Sequence, residues 1–182
     1  MKKVETLEEL NRLKEKGTEL IYPHKTKILV GMATCGLVSG AQEVFQAIRE
    51  EIKEKNLDII LAHTGCMGFC QKEPLVDIVK SGWPRVSYCE MNPKKAKETI
   101  RLLVQGKIKK EWILAKREKE ECLIEGTTKP YPLNGLPEEI EQIPLYEDIP
   151  FYKKQVKIAM RNCGFINPEN ITEYIARAGY ST

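Results

Sequence analysis

The stretch His63-Thr-Gly-Cys-Met-Gly-Phe-Cys70 contains two cysteines on a glycine-rich segment, and a further cysteine, Cys35, lies upstream. Thiolates gathered on short loops are ligands that suit iron–sulfur clusters and zinc. Gly65 and Gly68 allow a tight turn and let backbone N–H groups point toward sulfur atoms. The alternative is that both cysteines of the stretch are small buried hydrophobic residues in a turn. The flanking glycines favour a metal or redox site.

Composition limits the class of protein. The 182 residues are 42% hydrophobic, enough to bury the core of one ordinary domain with additional elements. The 29 basic and 26 acidic residues give a charge of +3 without a long basic run, so nucleic acid is not an expected partner. No apolar run reaches the length of a signal peptide or a membrane span, and we expect a cytoplasmic location. Six cysteines in such a chain indicate metal or redox chemistry rather than a secreted disulfide scaffold.

The segments on both sides of the cysteine stretch predict an α/β fold. Residues 26–30 are β-branched and predict a first strand, and the apolar run at residues 57–62 predicts a second. Between them, Ser39 and Gln42 have capping-box spacing and open a helix to about residue 55. A helix between two strands implies a parallel β-α-β unit.

Downstream of the cysteines, the pattern changes to a hairpin and a helix. Residues 74–80 and 85–90 alternate in polarity and are joined by Ser81-Gly-Trp-Pro84, which predicts two antiparallel strands. Asn92-Pro93 supplies an N-cap and a first-turn proline for a helix that ends near Gly106. This order of elements predicts a thioredoxin-like arrangement.

The remaining sequence divides the chain into three predicted parts. Residues 1–106 form the first unit, which includes an N-terminal helix, and residues 107–149 form an extended linker or arm. Residues 150–182 form a C-terminal helical hairpin with apolar stripes. These stripes must fold back, pair with another chain or stay partly exposed, so we expect a tendency to self-associate.

The predicted topology brings three cysteines together. Parallel strands end at the same edge of a sheet, so Cys35 should meet Cys66 and Cys70. A [2Fe–2S] cluster commonly takes four thiolates, and the missing ligand has two candidates. Cys89 lies near the end of the returning strand, although alternation could turn it toward a helix instead. His63 is the alternative, because imidazole can replace thiolate on one iron.

The other two cysteines have no sulfur neighbour in sequence. Cys122 lies in the arm and Cys163 precedes Gly164 in the tail, and we predict a structural role for both. A thiol redox protein that uses Cys66 and Cys70 is a further hypothesis, but their spacing is not Cys-x-x-Cys. The chain contains no nucleophile-elbow, P-loop or dinucleotide-binding motif.

Two groups of motifs resemble one protein family. Cys35-Gly-Leu-Val-Ser-Gly-Ala41, Thr64-Gly-Cys-Met-Gly-Phe-Cys70 and Glu73-Pro-Leu-Val76 resemble the thioredoxin-like [2Fe–2S] ferredoxin domain at the N-terminus of the NADH-binding flavoprotein subunit of bacterial NADH dehydrogenases and NAD-linked iron hydrogenases. In the tail, Arg161-Asn-Cys-Gly164 and Ile171-Thr-Glu-Tyr-Ile-Ala-Arg-Ala-Gly-Tyr180 resemble the helical lead-in to the flavin domain of that subunit.

The resemblance implies an electron-transfer module whose partners are flavoprotein and hydrogenase or dehydrogenase subunits. It also implies a cluster site with thiolate ligands and backbone N–H groups at Cys35, Cys66, Cys70, Cys89, Gly36, Gly65 and Gly68. The chain stops at Thr182, before the segment with which the family binds NADH and flavin, so we expect neither site in it. Such domains usually have two cysteines in the first loop, where this chain has one. A degenerate or absent cluster, in a domain that only docks its partners, is therefore the alternative.

Overall fold

The structure is a computed structural model that describes residues 3–122 and 124–180. The ends of the first and last predicted units, residues 1–2 and 181–182, lie outside the described residues. No helix in the described ranges is long and apolar enough to cross a bilayer. The elements in chain order are α1 Leu7–Ile21, β1 Thr26–Gly31, α2 Thr34–Val38, α3 Ala41–Glu54, β2 Ile59–Thr64, β3 Val76–Val79, β4 Arg85–Tyr88, α4 Pro93–Val104, β5 Ile113–Arg117, β6 Lys119–Cys122, β7 Thr127–Pro130, α5 Glu138–Glu141 and α6 Ile171–Ala176.

The main sheet has the strand order β2-β1-β3-β4-β5. Strand β1 is parallel to β2, with Val30 opposite His63 and Gly31 opposite Thr64, whereas β3 and β4 run antiparallel to their neighbours. A parallel β-α-β unit followed by an antiparallel hairpin and a helix is the thioredoxin-like arrangement. The predicted unit and hairpin are confirmed, and both parallel strands end side by side.

One face of the sheet forms the apolar core beneath α3 and α4. Asn92 caps α4 by accepting a hydrogen bond from the Lys95 backbone at 2.9 Å, and Pro93 occupies its first turn. Each fully buried aliphatic side chain in such a core contributes about 1.5–3 kcal/mol. The core residues include Ile28, Val30, Val44, Ile48, Val76, Ile78, Val86, Tyr88, Ile100 and Leu103.

The opposite face of the sheet contains buried polar side chains among apolar ones. Arg85 on β4 is 2% exposed, and its Nε donates to the carboxylate of Asp77 on β3 at 2.9 Å. Its Nη1 donates to the carboxylate of Glu120 on β6 at 3.1 Å, and its Nη2 donates to the backbone carbonyl of Gly164. One guanidinium thus connects the sheet, the arm and the tail.

Helices α1 and α6 cover part of this polar face. Gly17 in α1 has no side chain to separate it from the backbone of Thr172 in α6. Lys27 of β1 lies 3.5 Å from the carboxylate of Glu173, and both side chains are almost completely buried. The C-terminal residues therefore pack against the N-terminal helix and the sheet.

The segment predicted as a linker contains regular structure. Strand β5 pairs with β4, and β6 and β7 form a second, two-stranded sheet. Ala115 of β5 is fully buried, and Glu120 of β6 reaches Arg85. Prolines do not prevent this, because Pro130 ends β7 and Pro137 precedes α5.

The first helix of the predicted hairpin does not form. Residues 151–165 contain turns, and only the second part of the tail forms a helix, α6. The exposed fractions of Val156 and Ile158 are 75% and 71%, so the apolar stripe does not face the fold. Tyr152 instead stacks on Tyr146, with ring centroids 4.0 Å apart, and its hydroxyl donates to the backbone carbonyl of Met67 at 3.3 Å.

Removal of the buried guanidinium tests this arrangement. We expect Arg85→Met to lower the free energy of unfolding by about 3–5 kcal/mol, because Asp77 and Glu120 would remain as buried carboxylates without their partner. Urea denaturation measures the change. The control is Lys97→Met, which removes an exposed ion pair with Glu50 and should change the midpoint little. An equally small effect of both substitutions would contradict the proposed importance of the network.

Candidate metal centre

Three cysteines lie at the ends of the two parallel strands. Cys35 is in α2, shortly after β1, whereas Cys66 follows β2 directly. Cys70 begins a short 3-10 helix, Cys70–Lys72, at the end of the same loop. Cys35 and Cys70 are exposed and Cys66 is half-buried, so this group of thiols is open to solvent.

The sulfur atoms contact one another. The Sγ atoms of Cys66 and Cys70 are 3.6 Å apart, and the backbone N–H of Gly68 donates to Cys66 Sγ at 3.2 Å. Hydrogen bonding with the Cys35 thiol, and then with the Cys66 thiol, raises the pKa of Cys70 to about 12. A metal that bound these residues as thiolates would displace their protons.

The spacing of one sulfur pair fits a tetrahedral metal. Two thiolates on such a metal lie about 3.8 Å apart if each metal–sulfur bond is about 2.3 Å long, close to the 3.6 Å between Cys66 and Cys70. Within residues 3–122 and 124–180, no group of three or more His, Cys, Asp or Glu side chains could hold a single metal ion. A [2Fe–2S] cluster divides its ligands between two irons, so it does not require such a group. The three cysteines thus fit part of a cluster site.

The predicted glycines have different surroundings. The N–H of Gly68, whose φ is +86°, donates to Cys66 Sγ, and a role for it toward a cluster stays a prediction. Gly36 lies in α2 with its Cα against the backbone carbonyl of Gly31, so a side chain there would collide. A Cβ added to Gly65 would lie 3.7 Å from Cys163 Sγ. Gly65 therefore adjoins a cysteine from the tail.

Cys89 lies in a different environment from the three thiols. It is 9% exposed and belongs to an apolar cluster that includes Phe69 and Leu75. Burial raises the pKa of the Cys89 thiol, and the Glu90 carboxylate raises it further. Ligation by Cys89 stays a prediction, and it would require its thiol to leave apolar surroundings. His63, the alternative, pairs with Glu169, with 3.2 Å between its Nε2 and the carboxylate.

The tail supplies two residues that the sequence analysis did not assign to the site. Cys163 adjoins Gly65 and lines a cavity of about 470 Å³ with it. Lys157 donates to the backbone carbonyl of Met67 at 2.7 Å and to the Tyr146 hydroxyl at 2.6 Å. No local spacing could reveal either residue, because both reach the loop only through the tertiary fold.

Lys157 brings a positive charge near the sulfur atoms. Burial, followed by the Arg117 charge, lowers the pKa of Lys157 to about 8, whereas the Cys163 and Cys66 thiolates raise it. The ammonium group of Lys157 is thus repelled by the Arg117 charge and attracted by negative charge on Cys163 and Cys66. A cation here favours thiolates over thiols at the site.

Comparison with curated proteins finds two similar subunits from Solidesulfovibrio fructosivorans. The NADP-reducing hydrogenase subunit HndB is 29% identical over 77 residues, which are 42% of this chain and 61% of HndB. The NADP-reducing hydrogenase subunit HndC is 68% identical over 28 residues, which are 15% of this chain and 6% of HndC. The chain therefore spans less than two thirds of the length of each of these relatives.

Comparison with solved structures finds thioredoxin-like [2Fe–2S] ferredoxins from Aquifex aeolicus. One such structure is 24% identical with a TM-score of 0.46, and the match covers 51% of this chain and 99% of the ferredoxin. Another is 23% identical with a TM-score of 0.45 and covers 51% and 93% of the two chains. No family model matches the chain.

Two glycine substitutions test how closely the tail approaches the cysteine loop. Gly164 has a φ of +85°, and a Cβ added to it would lie 2.7 Å from Met67 Cγ. Gly106 has a φ of +72° but no atom within 4 Å of such a Cβ. We expect Gly106→Ala to cost about 1–2 kcal/mol from its left-handed backbone alone, and Gly164→Ala to cost more. Urea denaturation measures both, and equal losses would mean that Gly164 does not pack closely on Met67.

Proposed function

We propose that this chain is an iron–sulfur electron-transfer module that exchanges electrons between a [2Fe–2S] cluster and a flavoprotein. One observation carries the proposal: Cys35, Cys66 and Cys70 converge where β1 and β2 end, with two sulfur atoms 3.6 Å apart. Thiolates are the usual ligands of such a cluster. The exposure of Cys35 and Cys70 supports electron exchange at this edge of the sheet.

The residues of this chain would hold the cluster and adjust its environment. Cys35, Cys66 and Cys70 would bind iron as thiolates, and the cluster supplies one-electron transfer when bound. The Gly68 N–H donates to Cys66 Sγ, and hydrogen bonds to ligand sulfur stabilise the more negative, reduced state. The positive charge of the Lys157 ammonium group would also stabilise the reduced state.

The proposal extends to the complex in which the module works. HndB and HndC are named as subunits of an NADP-reducing hydrogenase. We infer that this chain assembles with flavoprotein and hydrogenase or dehydrogenase subunits, and that it receives electrons from them or passes electrons to them. We propose further that the complex is either such a hydrogenase or an NADH dehydrogenase, and that it lies in the cytoplasm. Residues 150–182 would be the beginning of a flavin domain. Hydride chemistry would belong to the partner subunits.

The alternative is a cluster-free docking domain of such a complex. This alternative is favoured because only three thiols are seen to converge among the described residues, whereas a cluster with only cysteine ligands needs four. A thiol redox function receives less support, because Cys66 and Cys70 do not have the spacing of a Cys-x-x-Cys motif. A measurement of cluster binding distinguishes the electron-transfer module from these two alternatives.

Substitution of the loop cysteines tests the proposal. After anaerobic reconstitution with iron and sulfide, we expect the unmodified chain to bind a cluster, and Cys66→Ala and Cys70→Ala to lose most of the bound iron because each removes a thiolate. Iron and sulfide analysis with an absorption spectrum provides the measurement. Cys122→Ala is the matched control, since Cys122 lies in β6 and should leave the cluster unchanged.

Two outcomes would contradict the proposal. The docking alternative is supported if the unmodified chain retains no iron or sulfide after reconstitution. Equal iron in Cys70→Ala and Cys122→Ala would show that any bound iron lies outside the three-thiol site.

A further inference from the structure

The tail covers the cysteine loop through contacts on both sides of Cys163. Before it, Met160 reaches the loop, and a Cβ added to Gly68 would lie 3.4 Å from Met160 Cε. After it, Gly164 packs against Met67, and the Ile166 carbonyl accepts a hydrogen bond from the buried Thr64 hydroxyl at 2.8 Å. Cys163 is therefore held beside the loop by flanking residues.

Its thiol is both close to the loop and open to a ligand. Its Sγ lies 3.7 Å from the position of a Cβ on Gly65, the residue that precedes Cys66. Cys163 is half-buried and, with Gly65, lines a cavity of about 470 Å³ that does not include the other three thiols of the site.

Cys89 lacks these features. Its buried thiol packs in the apolar cluster with Phe69 and Leu75. Movement of Cys89 to the site would remove an apolar contact and require a change at the end of β4. Cys163 requires no such loss, because it is half-buried and its sulfur already lies beside Gly65.

We propose that Cys163 is the fourth thiolate ligand of the cluster site, supplied by the tail in place of the second cysteine that is missing from the first loop. This inference rests on the proposed function. On ligation the Cys163 thiol gives its proton to water, and its sulfur forms a bond to iron that is supplied with sulfide during assembly. Metal binding and docking of the tail would then stabilise each other.

Ligation by Cys163 would make the stability of the cluster depend on partners that bind the tail. Because Met160 and Cys163 belong to the tail, a cluster with four thiolates forms only when the tail is docked. A partner that displaced the tail would weaken the cluster, whereas a partner that bound the docked tail would stabilise it. The amount of bound cluster would therefore depend on whether residues 151–165 are docked on the cysteine loop.

Paired cysteine substitutions test the assignment. After anaerobic reconstitution, we expect Cys163→Ala to lose most of its iron or to show an altered spectrum, as Cys70→Ala does, whereas Cys89→Ala and Cys122→Ala resemble the unmodified chain. Circular dichroism checks that each variant is folded. If Cys163→Ala has the iron content and spectrum of the unmodified chain, the assignment is wrong. Loss of iron in Cys89→Ala alone would instead make Cys89 the fourth ligand.

A second measurement uses the unmodified chain and requires no iron. Cadmium is added to the metal-free protein, and alkylation of each cysteine is followed by mass spectrometry, because a thiophilic cation protects the thiols that bind it. We expect protection of Cys163 together with Cys35, Cys66 and Cys70, with more than one cadmium ion shared among the four thiols, while Cys122 continues to react. Protection of Cys35, Cys66 and Cys70 without Cys163 would overturn this inference but leave the three-thiol site intact. A chain that binds neither cadmium nor iron would refute both proposals.

Discussion

The buried guanidinium of Arg85 is the interaction on which the arrangement of this chain depends. Removing such a charge from water costs several kcal/mol, which is compensated only if its partners are present and well placed. The partners come from three regions: Asp77 from β3, Glu120 from β6 and the Gly164 carbonyl from the tail. Folding of the sheet is therefore coupled to docking of the arm and the tail.

This coupling explains how the candidate site is built. The parallel strands β1 and β2 bring Cys35, Cys66 and Cys70 to one edge of the sheet. Arg85 binds the carbonyl of Gly164 and so fixes the part of the tail that contains Cys163. Around this edge, a backbone N–H and a lysine ammonium favour negative charge on sulfur. The same polar network thus supports the fold and brings tail residues to the thiols.

Local patterns were sufficient for part of the structure. Residues 39–55 carried a helical stripe, and helix α3 spans Ala41–Glu54, but the predicted capping box at Ser39 and Gln42 is wrong, because the N-cap is Gly40 and no side chain among the described residues caps the helix. The parallel strands and the hairpin were also predicted. From these, the meeting of Cys35 with Cys66 and Cys70 followed. Such features depend on neighbours in sequence or on the known geometry of parallel strands.

The rest depends on contacts between distant residues. Strand β5 pairs with β4, and Tyr152 and Lys157 in the turns of residues 151–162 both donate to the distant backbone carbonyl of Met67. The position of Cys163 could not be read from its single occurrence in the tail. A sequence pattern predicts an amphipathic face, but it does not say which surface the face will contact.

The most direct test of the account is electron paramagnetic resonance of the unmodified chain after anaerobic reconstitution and reduction. The account predicts a [2Fe–2S] signal that integrates to about one unpaired electron per chain and disappears on reoxidation. A silent spectrum in a folded protein that retains no iron would contradict the account and leave a docking domain without a cluster.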